Sequence, residues 1–260
     1  MKFSVVMTLY NRPQVTLINT LMKLGCNDWK DGEIVIVDDG STLPYEPLMG
    51  SFGNLPVRWE RVDTLADRPG TYSIEGTNNP AYAANCGVEA AKGDYIFWLS
   101  SDVMLPPHII DKAFDLDLTK VAWMPCVVDL DTNATYLGPD RLAPLGWFYG
   151  THRKHFESVK WDEEYLKGIA FEDNDFMCRL GLEVGRFVID KSVVAWHQSH
   201  AQTAYSDELK GWKINQEYTM KKWGGIPWHD ACPMAKSLTE VNHQMILDMK
   251  LAEKAVKVAM

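Results

Sequence analysis

The N-terminal part of the chain alternates dense apolar runs with stretches of helical periodicity, and this alternation is the feature that most constrains the fold. Apolar runs at 3–9, 33–37 and 94–99 are typical of strands that are buried on both faces of a parallel sheet. Apolar residues at 14–24 recur at helical spacing and are followed by a glycine. A second helix is predicted at 79–91. Together these elements predict an α/β fold with a mainly parallel sheet flanked by helices.

The rest of the chain is less regular. Its predicted elements are strands at 57–62 and 121–128, one or two short strands within 187–196, and helices at 172–184 and 206–223. The segment 129–160 is rich in turn formers and aromatic residues. A capping box at 237–240, with Ser237 at the cap and Glu240 three residues later, predicts a last helix that continues to residue 260.

Composition and charge argue against several classes of protein. With 46% apolar and 23% charged residues, the chain has the material for an ordinary globular core. Its 26 basic and 35 acidic side chains give a net charge of −9 and no basic run, so nucleic-acid binding is not favoured. No apolar stretch is long enough to span a membrane. The five cysteines are far apart in sequence, which predicts reduced thiols and a cytoplasmic protein.

Polar clusters follow three of the predicted strands. They begin at Thr8, Asp38 and Ser100. Because the carboxyl ends of parallel strands form the ligand-binding edge of such sheets, these clusters predict a nucleotide-binding crevice. The glycine-rich dinucleotide fingerprint and the phosphate loop are both absent from the sequence, so a divalent metal is the simplest way to neutralise a bound diphosphate.

With these motifs, the chain resembles family 2 glycosyltransferases of the GT-A fold over roughly residues 3–224. The resemblance rests on the order and spacing of motifs at 4–12, 34–41, 79–87, 91–96, 99–102, 171–176, 179, 196–197 and 221–224. It implies a GT-A-like, Rossmann-type sheet. We expect one glycosyltransferase domain at 1–224, with a nucleotide-binding half at 1–102 and an acceptor-binding half at 103–224. A C-terminal helical extension is expected at 225–260.

The resemblance implies roles for individual residues in binding the donor. The implied donor-binding residues are Thr8, Tyr10, Arg12, Asp38, Asp39, Asn85, Ser100 and Ser101. Of these, Asp39 with Asp38 would contact the uracil or ribose of a nucleotide sugar. Thr8, Tyr10 and Arg12 would line the base pocket.

A metal site is implied as well. Asp102 matches the last acid of the family's D-x-D motif, which holds a metal on the donor diphosphate. His197 matches a metal-ligating histidine of many GT-A enzymes, and His200 is a substitute for it. Mn²⁺ or Mg²⁺ would offset the negative charge of the departing diphosphate. Ser100 stands where the family pattern has an acid, so one formal charge is missing from this site.

The resemblance also implies that Asp173, in the pair Glu172-Asp173, is the general base of an inverting, single-displacement reaction. A carboxylate beside the acceptor hydroxyl accepts its proton during attack. The start of a helix keeps such an acid ionised. An acidic pair at a helix start is also common without any catalytic role, so this structural alternative stays open.

Three functions remain open from the sequence. The first is a glycosyltransferase that moves a sugar from a nucleotide sugar, expected to be a UDP-sugar, to a hydroxyl of a saccharide, lipid, protein or modified DNA base. The second is a degenerate protein that binds a sugar or a partner without turnover, which Ser100 keeps open. The third is a sugar nucleotidyltransferase, which is less favoured because the segment 8–12 has no glycine.

Overall fold

The computed structural model of the protein describes residues 1–62, 80–133, 146–167, 170–200 and 208–225. The strands in these ranges are β1 (Phe3–Leu9), β2 (Gly32–Asp39), β3 (Val57–Val62), β4 (Tyr95–Leu99), β5 (Val103–Met104), β6 (Ala122–Asp129), β7 (Phe148–His152) and β8 (Phe187–His197). The α-helices are α1 (Gln14–Leu24), α2 (Glu46–Met49), α3 (Ala81–Ala90), α4 (Ile109–Ala113), α5 (Arg153–Val159), α6 (Glu172–Val184) and α7 (Glu208–Trp223). Short 3₁₀ turns cover Gly50–Phe52 and Glu163–Lys167.

The eight strands form one mixed sheet in the order β3-β2-β1-β4-β7-β6-β8-β5. The first four strands of this order are parallel to one another. β7 runs antiparallel to its neighbours β4 and β6, whereas β6 and β8 are parallel and β5 is antiparallel to β8. The prediction of an α/β fold on a mostly parallel sheet flanked by helices is confirmed.

The parallel part of the sheet is buried on both faces, as its unbroken apolar runs predict. Val5 and Val6 of β1 and Ile34 and Val35 of β2 have no exposed surface. The loop before β4 passes very close to β1, since a Cβ added at Gly93 would lie 2.3 Å from the carbonyl carbon of Phe3. Only glycine allows this approach.

Most element bounds match the predictions within two residues, but the segment 129–160 does not. It contains β7 and α5, neither of which is predicted from the sequence. β7 is a strand because it pairs with β4, and the absence of a side chain at Gly150 leaves room for the ring of Phe97, 2.2 Å from where a Cβ would be. β8 is a single strand of 11 residues.

The predicted helix from Ser237 lies outside the described residues, as does the predicted extension at 225–260 from residue 226 onward. The polar stretch at 63–79 and the segment 134–145 also lie outside them. Among the residues that the structure describes, no helix combines the length and the apolar character needed to cross a membrane.

Candidate active site

A cleft of about 230 Å³ lies at the carboxyl ends of β1, β2 and β4. Seven of the predicted site residues line it, namely Thr8, Tyr10, Arg12, Asp39, Ser100, Ser101 and Asp173. Six of them follow or end these three parallel strands, and the seventh belongs to α6. The fold therefore brings together residues that are as far apart in the sequence as Thr8 and Asp173.

Asp38 and Asn85 do not line this cleft. Asp38 is buried, and its carboxylate pairs with Arg61, with 3.2 Å between Oδ2 and Nη1. Asn85 uses its side chain to hold the backbone of Trp161, accepting from its N–H at 2.8 Å and donating to its carbonyl at 3.0 Å. Asp38 also accepts from the N–H of Ser41 at 3.0 Å, so each of the two side chains holds backbone beside the cleft and neither lines it.

Asp102 lies beside the cleft and is surrounded by hydrogen-bond donors. Its Oδ2 is 3.2 Å from Nη1 of Arg12 and 3.0 Å from Nε2 of His200, and its Oδ1 accepts from the Ser100 hydroxyl at 2.6 Å. Burial alone would raise the pKa of Asp102, but the hydrogen bond from His200, the charge of Arg12, the Ser100 hydroxyl and His197 together lower it to about 2. Asp102 is therefore a carboxylate at any ordinary pH.

Asp102, His197 and His200 form a cluster that suits a divalent metal. Each offers one ligand atom, and these atoms lie within 4.8 Å of one another. Nε2 of His197 is 3.8 Å from Oδ2 of Asp102. One carboxylate oxygen with two imidazole nitrogens is a donor set for Mn²⁺ more than for Mg²⁺, which prefers oxygen ligands. The implied metal thus fits the residues present, and His200 belongs to the cluster together with His197.

Arg12 lies close to the same cluster. Its guanidinium contacts both ring nitrogens of His200 and donates to the Ser101 hydroxyl at 3.2 Å. Sequence reasoning placed Arg12 in the base pocket. In the structure Arg12 lines the cleft, and its charged end lies against Asp102, at the point where the cleft meets the histidines.

Asp173 lies in the first turn of α6 and faces the cleft. Burial raises the pKa of Asp173 above its ordinary value, and hydrogen bonds from the backbone N–H groups of Asn174 and Gly146 oppose this effect. The Asn174 bond is 2.7 Å long. A Cβ at Gly146 would lie 3.2 Å from the Cβ of Asp173, so glycine leaves this carboxyl its space. Asp173 is consequently fixed by backbone hydrogen bonds and is more basic than an ordinary aspartate.

The backbone that leads into α6 has an unusual conformation. Ala170 and Phe171 both have positive φ, at 64° and 74°, although neither is a glycine. Such residues are uncommon and concentrate at functional sites, where surrounding packing holds them in place. Phe171 is buried against Tyr165, which provides that packing here.

A buried ion network fixes α6 to the end of α7. Asp175 has no exposed surface and accepts from Nε of Arg179, Nε1 of Trp223 and Nζ of Lys222, each at 2.8 Å. A buried carboxylate requires such partners. The sequence motifs at 171–176, 179 and 221–224 therefore meet in one structural unit, which holds Asp173 at the cleft.

Comparison with known protein families supports the resemblance predicted from the sequence. Residues 4–118 match the profile of glycosyl transferase family 2. None of the curated protein sequences compared with the chain matches it. The matched region contains β1 to β4 and therefore the three strand ends that line the cleft.

Three solved structures share the fold. The structure of S. aureus TarS residues 1–349 in complex with UDP-GlcNAc is 16% identical, with a TM-score of 0.69 over 91% of this chain and 69% of that one. A second S. aureus TarS structure is 16% identical, with a TM-score of 0.61 over 85% of this chain and 40% of that one. GalNAc-T7 with UDP, GalNAc and Mn²⁺ is 14% identical, with a TM-score of 0.62 over 99% and 57%. At these identities the likeness establishes the GT-A fold.

Proposed function

We propose that this chain, which has the GT-A fold and matches glycosyl transferase family 2 over residues 4–118, is a metal-dependent, inverting glycosyltransferase that uses a UDP-sugar. The observation that carries the proposal is the single cleft that joins three parallel strand ends to Asp173 and borders the cluster of Asp102, His197 and His200. The cleft and its border thus offer strand ends for a nucleotide, a ligand cluster for a metal and a carboxylate for the reacting hydroxyl.

The donor is proposed to lie along the strand ends of the nucleotide-binding half, residues 1–102. Thr8, Tyr10 and Asp39 line the cleft and would contact the uracil and ribose. Arg12 carries a positive charge where the cleft meets Asp102, which suits a diphosphate. The choice of UDP is supported by TarS and GalNAc-T7, whose structures contain UDP-GlcNAc and UDP.

Asp102, His197 and His200 are the residues that would hold the metal. When bound, a divalent ion offsets the negative charge that accumulates on a departing diphosphate. Ser100 contributes a neutral hydroxyl, which donates to Asp102. The side chains of this site therefore supply one formal negative charge, and we expect the ion to bind mainly together with the nucleotide.

Asp173, from the acceptor-binding half at 103–224, is proposed as the general base. It accepts the proton of the acceptor hydroxyl while that oxygen attacks the anomeric carbon and the bond from this carbon to the diphosphate breaks. A single displacement of this kind inverts the anomeric configuration. The raised pKa of Asp173 makes it a better proton acceptor than an ordinary aspartate. The acceptor class and the cytoplasmic location remain predictions from the sequence.

A screen of nucleotide sugars tests this function. Thermal unfolding is followed with each donor, with and without Mn²⁺, and a donor at 100 times its dissociation constant should stabilise the protein by about 2.7 kcal/mol. Released UDP is then measured with Mn²⁺ and with excess chelator. Binding of a donor without any release of UDP, across saccharide, lipid, protein and DNA acceptors, would instead favour the degenerate binding protein.

A further inference from the structure

We propose that Asp129 is a positioning residue that orients His197 and sets which of its ring nitrogens is available to a metal. This inference rests on the proposed metal site, but it concerns a residue that neither the motifs nor the family roles include. Asp129 ends β6, His197 ends β8, and the two residues are directly paired in the register of these parallel strands.

The order of the strands places His197 between two carboxylates. β8 lies between β6 and β5, and His197 pairs with Asp129 on one side and with Val103 on the other. Val103 is the neighbour of Asp102. Nδ1 of His197 is 3.1 Å from Oδ2 of Asp129, and Nε2 is 3.8 Å from Oδ2 of Asp102. One ring nitrogen therefore faces each carboxylate.

The carboxylate of Asp129 is surrounded by hydrogen-bond donors. Its side chain is 3% exposed. Its Oδ1 accepts from the N–H groups of Asp131 and Thr132 at 3.1 and 2.9 Å, and from the Thr132 hydroxyl at 2.9 Å. Its Oδ2 accepts from the Ser199 hydroxyl at 3.2 Å. An oxygen fixed in this way accepts from Nδ1–H of His197, which leaves the lone pair on Nε2, the nitrogen that faces Asp102.

Two further contacts hold the histidine in place. The indole of Trp147 packs edge to face against the imidazole, with 4.0 Å between ring centroids and 75° between planes. The carbonyl of His197 accepts from the N–H of Leu130 at 3.0 Å. Position, ring plane and tautomer are therefore set before a metal arrives. Outer partners of this kind are typically worth about 10–100-fold in metal affinity.

Asp129→Asn is the test variant. Its amide oxygen can still accept from the N–H of Thr132, but its amide nitrogen then donates to Nδ1 of His197 and moves the ring hydrogen to Nε2. We expect the Mn²⁺ affinity, measured by calorimetry with UDP present, to fall about 10–100-fold. The affinity for UDP alone and the midpoint of thermal unfolding should stay close to those of the natural protein. Asp131→Asn, at an exposed neighbouring acid, is the matched control and should leave the Mn²⁺ affinity unchanged.

Two measurements separate positioning from a general structural effect. Nitrogen-15 NMR of the imidazole at mildly alkaline pH should find the hydrogen on Nδ1 in the natural protein and on Nε2 in Asp129→Asn. In a His197→Gln background, Asp129→Asn should cause no further loss of Mn²⁺ affinity, because the two residues act as a unit.

The outcomes distinguish this inference from the proposed function. If the natural protein binds no Mn²⁺ with UDP, the metal dependence is wrong, while the tautomer measured by NMR still decides the role of Asp129. If Mn²⁺ binds and Asp129→Asn leaves its affinity unchanged, or if the natural protein carries the hydrogen on Nε2, the inference about Asp129 is wrong.

Discussion

Asp173 lines the cleft and Asp102 borders it on the other side, and their surroundings shift the pKa values of the two carboxyl groups in opposite directions. Asp102 follows β4 and is contacted by Arg12, His200 and Ser100, which hold its pKa at about 2. Asp173 lies in the first turn of α6, where burial raises its pKa and only backbone N–H groups oppose the shift. Asp102 is the more deeply buried of the two and yet has the lower pKa, so the difference comes from the partners and not from depth.

This difference in pKa suits the two groups to the separate tasks proposed for them. A carboxylate that resists protonation and faces imidazole nitrogens is suited to hold a cation. One with a raised pKa is suited to take a proton from a substrate. The two groups should therefore be separable. A substitution at Asp173 should leave the Mn²⁺ affinity nearly unchanged, whereas a substitution at Asp102 should act mainly through that affinity.

The largest effect is expected for Asp173→Asn. Loss of the proton acceptor should lower the rate of transfer by about 10²–10⁴-fold, while the affinities for the donor and for Mn²⁺ stay close to those of the natural protein. Steady-state rates and calorimetry provide the two measurements. Glu183→Gln, near the other end of α6, is the control and should keep the full rate. Turnover close to the natural rate in Asp173→Asn would remove this residue from the mechanism.

Asp102→Asn should give the opposite pattern. The outer partner Asp129 is expected to be worth about 10–100-fold, so loss of a direct ligand should lower the Mn²⁺ affinity with UDP by more than about 100-fold. Transfer should fall with it, and added Mn²⁺ should partly restore the rate. Asp94→Asn, an exposed acid just before the other end of β4, is the control. Full activity of the natural protein in excess chelator would contradict the roles of Asp102 and His197.

The parallel strands β1, β2 and β4 were predictable because the pattern that specifies them lies within each strand's own sequence. β1, β2 and β4 are dense in apolar residues and lead into polar residues at their carboxyl ends, which is typical of a doubly buried parallel strand. β5 has two residues and β7 contains Gly150 and His152, so neither has a strand-like pattern. These strands exist because of their pairing with β8 and with β4, and single-sequence periodicity does not contain that pairing.

The candidate site was predictable only in part, for the same reason. The resemblance implied roles for Asp102, Asp173 and His197 and gave His200 only as a substitute. In the structure both histidines lie beside Asp102, with 3.0 Å from its Oδ2 to Nε2 of His200 and 3.8 Å to Nε2 of His197. Asp129 lies 68 positions from His197, and its role follows from the register of β6 and β8. Distances between strand ends are set by pairing across the sheet, which spacing along the chain does not indicate.

The pH dependence of kcat/KM should report the raised pKa of Asp173. The base acts in its ionised form, so activity should fall as the pH decreases through its pKa, by about tenfold per pH unit below it. This acid limb should lie above the ordinary aspartate value of 3.8. Asp102, with a pKa of about 2, should contribute nothing to it. Rates at about pH 4–9, with folding checked by circular dichroism, give the profile. A limb at or below the ordinary value would contradict the assignment.

Ser100→Asp should have the smallest effect on activity, and it tests directly whether the partners of Asp102 set its difference from Asp173. The Ser100 hydroxyl donates to Oδ1 of Asp102 at 2.6 Å, and a carboxylate in its place would remove this donor and add a like charge. The pKa of Asp102 should therefore rise in the metal-free protein, so that the two sides of the cleft become more alike. With UDP present, the added charge should tighten Mn²⁺ binding by about tenfold, or about 1.4 kcal/mol. The transfer rate should change only a few-fold, because Asp173 is unchanged.

Ser100→Ala removes the hydrogen-bond donor without adding charge and is the control for calorimetry. An Mn²⁺ affinity that is the same in Ser100→Asp and Ser100→Ala would place Ser100 outside the metal site, and would leave Asp102 as its only acidic ligand among the residues that the structure describes.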